Sequence, residues 1–218
     1  MLFKKNIKAV STLDLRNYTP KALSKIGSIT ACAIVLLPEN PTPEFMEAFS
    51  KIKQTAVGFI INTDNKKTVS SFNGINIVSG NDINDNCVCL CNGVTFIHST
   101  NHLNNAEFIF NGMVIKKSGS SYNCLTNNGS VVEWDYDETK IKKYIDSIDV
   151  DAMFLRNCED DTVIASVNKI NLADDITEED IVSRNIRFVA VNEVVCNSSI
   201  YGCVASRSAV VNKVTVRN

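Results

Sequence analysis

Short apolar segments alternate with polar turns along much of the chain, and several of these segments share one pattern. In three of them an aromatic residue or Cys is followed by Asn, Gly and an apolar residue, and the asparagines are Asn73, Asn92 and Asn111. Successive asparagines of this set are 19 residues apart. A fixed period of this kind predicts a repeat architecture in which equal positions of successive repeats lie close together.

The pattern continues beyond these three copies. A weaker copy contains Asn128, and later copies have Lys or Glu in place of Gly after Asn168, Asn192 and Asn212. A second apolar run lies between the first copies. Each period is therefore predicted to hold two strands of about five residues and two turns.

Two arrangements of such strand pairs are possible. A meander of β-hairpins agrees with the Asn-Gly pairs, which are a strong hairpin signal. A parallel β-solenoid agrees better with the copies that lack Gly, because a hairpin of this type needs Gly for a positive φ, whereas stacked Asn side chains can hydrogen-bond along a column. We therefore predict a solenoid with one structural asparagine column, formed by Asn73, Asn92, Asn111, Asn128, Asn168, Asn192 and Asn212.

Helix signals precede several other apolar segments. Thr42-Pro43-Glu44 is typical of an N-cap, a proline at the first helical position and an acid in the first turn. A helix that begins at Asp137 or Glu138 is predicted to carry apolar residues up to Ile148 and to precede a strand over 151–155. The segment 177–180, Thr-Glu-Glu-Asp, resembles a capping box.

Both kinds of segment resemble the coils of known solenoid proteins. The helix–strand modules at 23–34 and 49–60 are offset by 26 residues, and they resemble the coil of a leucine-rich repeat. The Asn-bearing segments resemble the single-stranded β-helix proteins, a group that includes the bactofilins. This resemblance implies a fold, and no functional residue is carried over from it.

These patterns predict a mainly β protein with some α-helix, folded as a parallel β-solenoid in a single domain over 1–218. Helix–strand coils are expected over 18–66 and strand–strand coils over 67–136. Mixed coils are expected over 137–218, with a helix-containing coil near 137–157.

Composition and charge restrict the partners. Of the 218 residues, 44% are hydrophobic and 21% are charged, as in ordinary globular proteins. A net charge of −2 gives no strong electrostatic reason to bind nucleic acid or an anionic membrane surface. Polar residues interrupt the apolar run that a signal peptide needs, and no segment approaches the roughly 20 apolar residues of a membrane span. We predict a cytoplasmic protein with reduced thiols.

Cys87, Cys89, Cys91, His98 and His102 carry the side chains that zinc prefers. On one strand the three sulfurs would lie in a row about 6.6 Å apart, whereas tetrahedral zinc needs sulfurs about 3.8 Å apart. These cysteines also align with apolar residues one period later, which favours a place in the core. The sequence therefore predicts no metal and no cofactor, and a metal site at these five residues is the alternative.

Acidic residues cluster at Asp135/Asp137/Glu138, at Glu159/Asp160/Asp161 and over 174–180. We interpret these clusters mainly as solvated turns and helix starts, where carboxylates suit the helix dipole. They could instead act in a carbohydrate-binding or polysaccharide-active β-helix. An aromatic residue such as Trp134 or Tyr136 on the same exposed strip would favour that alternative.

The predicted function follows from the repeats. No phosphate-binding loop, nucleophile elbow or dinucleotide fingerprint is present, so an enzyme is not favoured. We predict a non-catalytic structural or protein-interaction solenoid whose partner is a second copy or another protein. The segment 209–218 is strand-like, and Val210, Val214 and Val216 are predicted to mediate self-association. The alternative is a carbohydrate-binding or polysaccharide-active β-helix that uses the acidic turns.

Overall fold

The computed structural model describes residues 4–79, 83–84, 86–98 and 106–217. These residues are mainly β, and their strands form four sheets in which the paired strands run parallel. The predicted class, mainly β with some helix, is confirmed, and the hairpin meander is wrong. The chain forms two compact units, Met1–Thr68 and Val69–Asn218.

The first unit contains a three-stranded sheet and two helices. Their order is β1 (Lys5–Asp14), α1 (Pro20–Leu23), β2 (Ile26–Pro38), α2 (Pro43–Ser50) and β3 (Lys53–Thr63). The sheet has the order β1-β2-β3. Helix α2 begins where the sequence indicates, because the Thr42 hydroxyl accepts a hydrogen bond from the Phe45 amide at 3.3 Å and Pro43 starts the first turn. Leu23, Ile29 and Phe45 belong to the core of this unit.

Each strand of this sheet bends at an alanine without losing its pairing. Ala9, Ala31 and Ala56 occupy equivalent positions in the three strands, and their φ angles are 53°, 54° and 53°. This left-handed conformation is uncommon for alanine, because its Cβ crowds the following carbonyl oxygen. Neither this column nor β1 is predicted from the sequence.

The second unit begins with a sheet of four long strands in the order β4-β5-β6-β7. The strands are β4 (Thr68–Val78), β5 (Cys87–Ile97), β6 (Glu107–Lys116) and β7 (Asn123–Glu133). Each Asn-Gly pair lies in the middle of a strand, where Gly74, Gly93 and Gly112 have φ angles of 86°, 107° and 137°. The two short strands and intervening turn expected here are therefore one kinked strand, because parallel pairing continues through the corner.

Eight short strands follow and form two further sheets, β8-β10-β12-β14 and β9-β11-β13-β15. We call these strands and their helices the C-terminal array. Its elements are β8 (Ile141–Tyr144), β9 (Ser147–Val150), α3 (Ala152–Arg156), β10 (Val163–Ser166), β11 (Lys169–Leu172), α4 (Glu178–Val182), β12 (Arg187–Ala190), β13 (Glu193–Cys196), α5 (Tyr201–Ser206), β14 (Ser208–Val210) and β15 (Lys213–Val216). Among the helices of the described ranges, none combines the length and apolar character needed to cross a bilayer.

Local chemistry explains where the array departs from the sequence-based expectation. The helix expected from Asp137 or Glu138 to Ile148 is wrong: a single 3₁₀ turn over Glu138–Lys140 leads into β8 and β9. The strand expected over 151–155 is helix α3, because the Asp151 carboxylate accepts a hydrogen bond from the Phe154 amide at 2.7 Å and caps it.

The capping box at the start of α4 is confirmed. Thr177 and Asp180 exchange side-chain and backbone hydrogen bonds across the first turn. Hydrogen bonds from Arg156 and then from Thr177 lower the pKa of Asp180 to about 2. The acidic residue at this position is therefore part of the helix start.

Two cores lie on opposite faces of the sheet β8-β10-β12-β14. Ile164 and Phe188 face the interior of the array and pack with Ile170 and Val194 of the other sheet. Alternate residues of the same strands, including Val163 and Val189, pack with residues of β5 and β6 such as Val94 and Met113. Because both faces are covered at the middle strands, β10 and β12 are largely apolar, whereas β8 at the edge carries two exposed lysines.

Candidate functional site

The seven predicted asparagines form two hydrogen-bonded ladders. In the first, the side-chain amide of each Asn donates to the side-chain oxygen of the preceding one: Asn92 to Asn73 at 2.9 Å, Asn111 to Asn92 at 3.3 Å and Asn128 to Asn111 at 2.9 Å. These bonds satisfy polar groups along the corner of the sheet β4-β5-β6-β7, which indicates a structural role.

The second ladder lies in the C-terminal array. Asn212 donates to Asn192 at 3.1 Å and Asn192 donates to Asn168 at 2.8 Å. Asn168 in turn donates to the carboxylate of Asp146 and to the hydroxyl of Ser147. In both ladders each asparagine donates to the preceding member. The second ladder begins at Asp146, whose carboxylate accepts from Asn168.

The cysteines proposed as alternative metal ligands lie in the core. Cys87, Cys89 and Cys91 are buried with Phe108 and Phe110, as the alignment with apolar residues indicated. The spacing expected between neighbouring sulfurs is wrong for Cys87 and Cys89, whose sulfurs are 3.1 Å apart. Burial raises the pKa of Cys91 to about 12 and also raises the pKa of Cys89. Burial therefore favours the protonated form of Cys89 and Cys91.

The histidines of that alternative lie elsewhere in the chain. His98 lines a polar cavity away from the three cysteines, and His102 lies outside the described residues. Within the described ranges, no three Cys, His, Asp or Glu side chains are placed to hold a metal ion.

A polar cavity of about 670 Å³ lies in the second unit, and we call it the acidic cavity. The segment between β7 and β8 supplies most of its wall. Its lining consists of basic residues (Lys117, Lys140 and Arg187), acidic residues (Asp135, Asp137, Glu138 and Asp161), His98 and Tyr136. Positive and negative groups are nearly balanced in number, which suits a ligand without a large net charge.

Hydrogen bonds already engage several of these groups. The Asp137 carboxylate accepts from the amide and hydroxyl of Thr139, and these bonds lower the pKa of Asp137. Asp161 accepts from the Asn185 amide at 2.7 Å. The Arg187 guanidinium donates to the backbone oxygen of Asp135 at 2.7 Å. These contacts fix the walls of the cavity.

Other groups retain hydrogen-bonding capacity. Nδ1 of His98 lies 2.5 Å from Oε2 of Glu138 but makes no aligned hydrogen bond within the described structure. The hydroxyl of Tyr136 is buried and has no hydrogen-bond partner among the described atoms. Burial and then the charge of Glu138 raise the pKa of Tyr136, so the phenol remains a donor. The Lys117 ammonium lies 5.8 Å from the centre of the Tyr136 ring.

The structure brings together only part of the predicted acidic set. Asp135, Asp137 and Glu138 share the cavity with Asp161, which comes from the second acidic cluster. Trp134 lies beside it, with the Arg187 guanidinium 5.3 Å from its ring centre. Acids of the 174–180 cluster make other contacts, such as the 2.8 Å pair of Asp180 with Arg156.

The valines predicted to mediate self-association lie on edge strands. β14 and β15 are the outermost strands of their sheets, and Val210, Val214 and Val216 are half-buried there. In the same column as Val214, Ile170 and Val194 are fully buried. The apolar core of the array is therefore uncovered at this edge.

We compared the chain with protein-family models, curated proteins and solved structures. The chain matches no protein-family model, and no curated protein or solved structure is significantly similar to it. What defines the class is the architecture itself, a mainly β protein of stacked parallel strands with asparagine ladders.

Proposed function

We propose that this chain is a β-solenoid that acts as a non-catalytic structural or interaction protein, and that copies associate through the edge formed by β14 and β15. The observation that carries the proposal is the uncovered core at this edge, where half-buried valines follow fully buried residues in the same columns. Covering apolar surface contributes about 25 cal/mol for each Å² removed from water.

Backbone chemistry supports the same surface. An edge strand presents unpaired amide and carbonyl groups, which can pair with a strand of another molecule. The array has two such strands side by side, β14 and β15, so one partner can pair with both. Free cysteines at all eight positions agree with a reducing compartment, and we propose a cytoplasmic location.

Replacing Val214 by lysine tests this proposal. The ammonium would lie in the centre of the apolar edge, and burying it against a second copy would be unfavourable. We expect the wild type to associate at high micromolar concentration and Val214→Lys to remain monomeric in light scattering. Val214→Ile, which keeps the apolar character and strand preference of the side chain, is the matched control and should associate nearly as well as wild type.

Circular dichroism must show that Val214→Lys keeps its fold. If it does not, Val210→Lys provides the same test at the neighbouring strand. A wild type that stays monomeric at every concentration would overturn the proposed function.

A second candidate function rests on the acidic cavity. Sugar hydroxyls both donate and accept hydrogen bonds, and this cavity offers acceptors at Glu138 and Asp135 beside a donor at Lys117. Its volume of about 670 Å³ falls in the range of ligand sites. These features support binding of a neutral saccharide by the acidic turns.

Calorimetric titration with neutral sugars, namely glucose, galactose, N-acetylglucosamine and cellobiose, tests this candidate. Glu138→Gln should weaken binding by about tenfold or more, because a hydrogen bond to a charged group contributes about 1.5–3 kcal/mol. Glu133→Gln is the matched control. Glu133 is not part of the cavity lining, and its carboxylate pairs with the Lys116 ammonium at 3.1 Å. Absence of binding, or equal binding by Glu138→Gln, would exclude the saccharide site.

A further inference from the structure

The two edges of the C-terminal array differ in chemistry. We call β8 and β9 the head edge and β14 and β15 the tail edge, because they are the two ends of the sheets β8-β10-β12-β14 and β9-β11-β13-β15. We infer that two copies join tail edge to tail edge about a two-fold axis and that growth stops at the dimer. This inference rests on the proposed self-association and specifies its geometry.

Two lysines protect β8, one of the two strands of the head edge. Lys142 precedes Ile164 and Phe188 in its column, and both of these residues are fully buried in the array core. Lys143 precedes Ala165 and Val189, which are fully buried on the opposite face of the sheet. Both lysines are exposed. Another strand placed on this edge would have to bury charge in both columns, which is the usual way in which edge strands avoid pairing.

The tail edge has none of these obstacles. Its inward columns end in the uncharged residues Val210, Val214 and Val216. The Asn212 amide can both donate and accept, so two of them can pair reciprocally. The nearby cations are partly neutralised within each copy, Lys213 by Glu193 at 3.7 Å and Arg217 by Asp174 at 3.0 Å.

Symmetry then decides the size of the assembly. An isologous contact uses the same surface on both copies and closes after one association, whereas a head-to-tail contact leaves free ends and can continue into a fibre. With the head edge protected and the tail edge apolar, the closed dimer is the arrangement that satisfies both edges.

Mixing wild type with Val214→Lys distinguishes the two geometries. In a head-to-tail contact the variant still offers a normal head edge, so it would bind the tail of a wild-type copy. In the tail-to-tail dimer it cannot join. We expect sedimentation of the mixture to show a wild-type species at twice the 24.0 kDa chain mass, with the variant as a separate monomer.

The head edge is tested by the double substitution Lys142→Leu/Lys143→Leu. Removing both charges should let dimers join through their heads, so assemblies larger than a dimer should appear. The matched control, Lys21→Leu/Lys25→Leu, removes two exposed charges in the first unit and should leave the dimer unchanged. A mixed wild-type and Val214→Lys complex, or a wild-type mass that grows beyond the dimer, would overturn the two-fold geometry. A monomeric wild type would instead overturn the proposed function.

Discussion

Replacing Gly112 by alanine is expected to lower the free energy of unfolding of the second unit by about 2–5 kcal/mol, through conformational strain and overpacking together. A Cβ at this position would overlap the carbonyl oxygen of Gly93 and lie 3.0 Å from its carbonyl carbon. The obstacle is backbone of the neighbouring strand, so it cannot rotate away. The strands β5 and β6 would have to separate at their corner.

Gly74→Ala is the matched control. Gly74 also has a positive φ, 86°, but a Cβ there would meet nothing within 4 Å. Gly74→Ala should therefore lower the free energy of unfolding by only about 1–2 kcal/mol, the cost of placing alanine in a left-handed conformation. Urea unfolding followed by the fluorescence of Trp134, the only tryptophan, measures both variants. Equal losses for the two substitutions would show that the close approach of the strands is not what requires glycine.

The second large effect is expected in the first unit, at Arg16. Its side chain is 5% exposed and donates to both carboxylate oxygens of Asp14, to the backbone oxygen of Asp64 at 2.7 Å and to that of Lys67 at 2.9 Å. Replacing Arg16 by methionine keeps much of the apolar volume but leaves these acceptors without their donor. Because the Asp14 side chain is 39% exposed and can be rehydrated, we expect a loss of about 1.5–3 kcal/mol, the range for hydrogen bonds to charged groups.

Arg16→Lys separates charge from geometry. Lysine keeps the positive charge but lacks the planar fork that reaches several acceptors, so an intermediate loss is expected. Hydrogen exchange of the amides in β1, β2 and β3 measures the stability of this unit directly. Exchange in Arg16→Met at the wild-type rate would contradict the role assigned to this guanidinium.

Part of the fold could be predicted because its chemistry recurs at a fixed spacing. The 19-residue spacing marks a corner whose side chain and backbone requirements are the same in each strand, so Asn and Gly recur together. Thr42 and Thr177 could be recognised as helix caps because capping depends on a few neighbouring residues. These signals depend only on residues that are close together in the sequence, so they can be recognised without the structure.

Other parts could not be predicted for physical reasons. Ala9, Ala31 and Ala56 have positive φ angles, which alanine rarely adopts. The sequence around them is therefore indistinguishable from that of an uninterrupted strand. The segment from 138 to 148 has apolar residues whose spacing fits either one helix or two short strands. Parallel pairing with β10 and β11 selects the two strands, and the paired residues lie 22 positions further along the chain.

The acidic cavity shows the same limit. The run Asp135–Glu138 is visible in the sequence as a cluster of acids. His98, Lys117 and Arg187, which complete the cavity, are distant along the chain and come from different strands and connections. Only the folded arrangement brings them together, and no spacing between these residues indicates it.

The close contact of successive glycines has a consequence for how the chain can vary. Because Asn92 and Gly93 register directly with Asn111 and Gly112, and these with Asn128 and Gly129, adding or deleting one residue beside these pairs would shift the corner out of alignment, whereas β7 accommodates one extra residue, Leu125, before its corner. Changes in length are therefore expected to accumulate in the connecting segments 79–86, 98–106 and 117–122, which already differ in length. Inserted peptides or tags intended to leave the strands undisturbed belong in those segments.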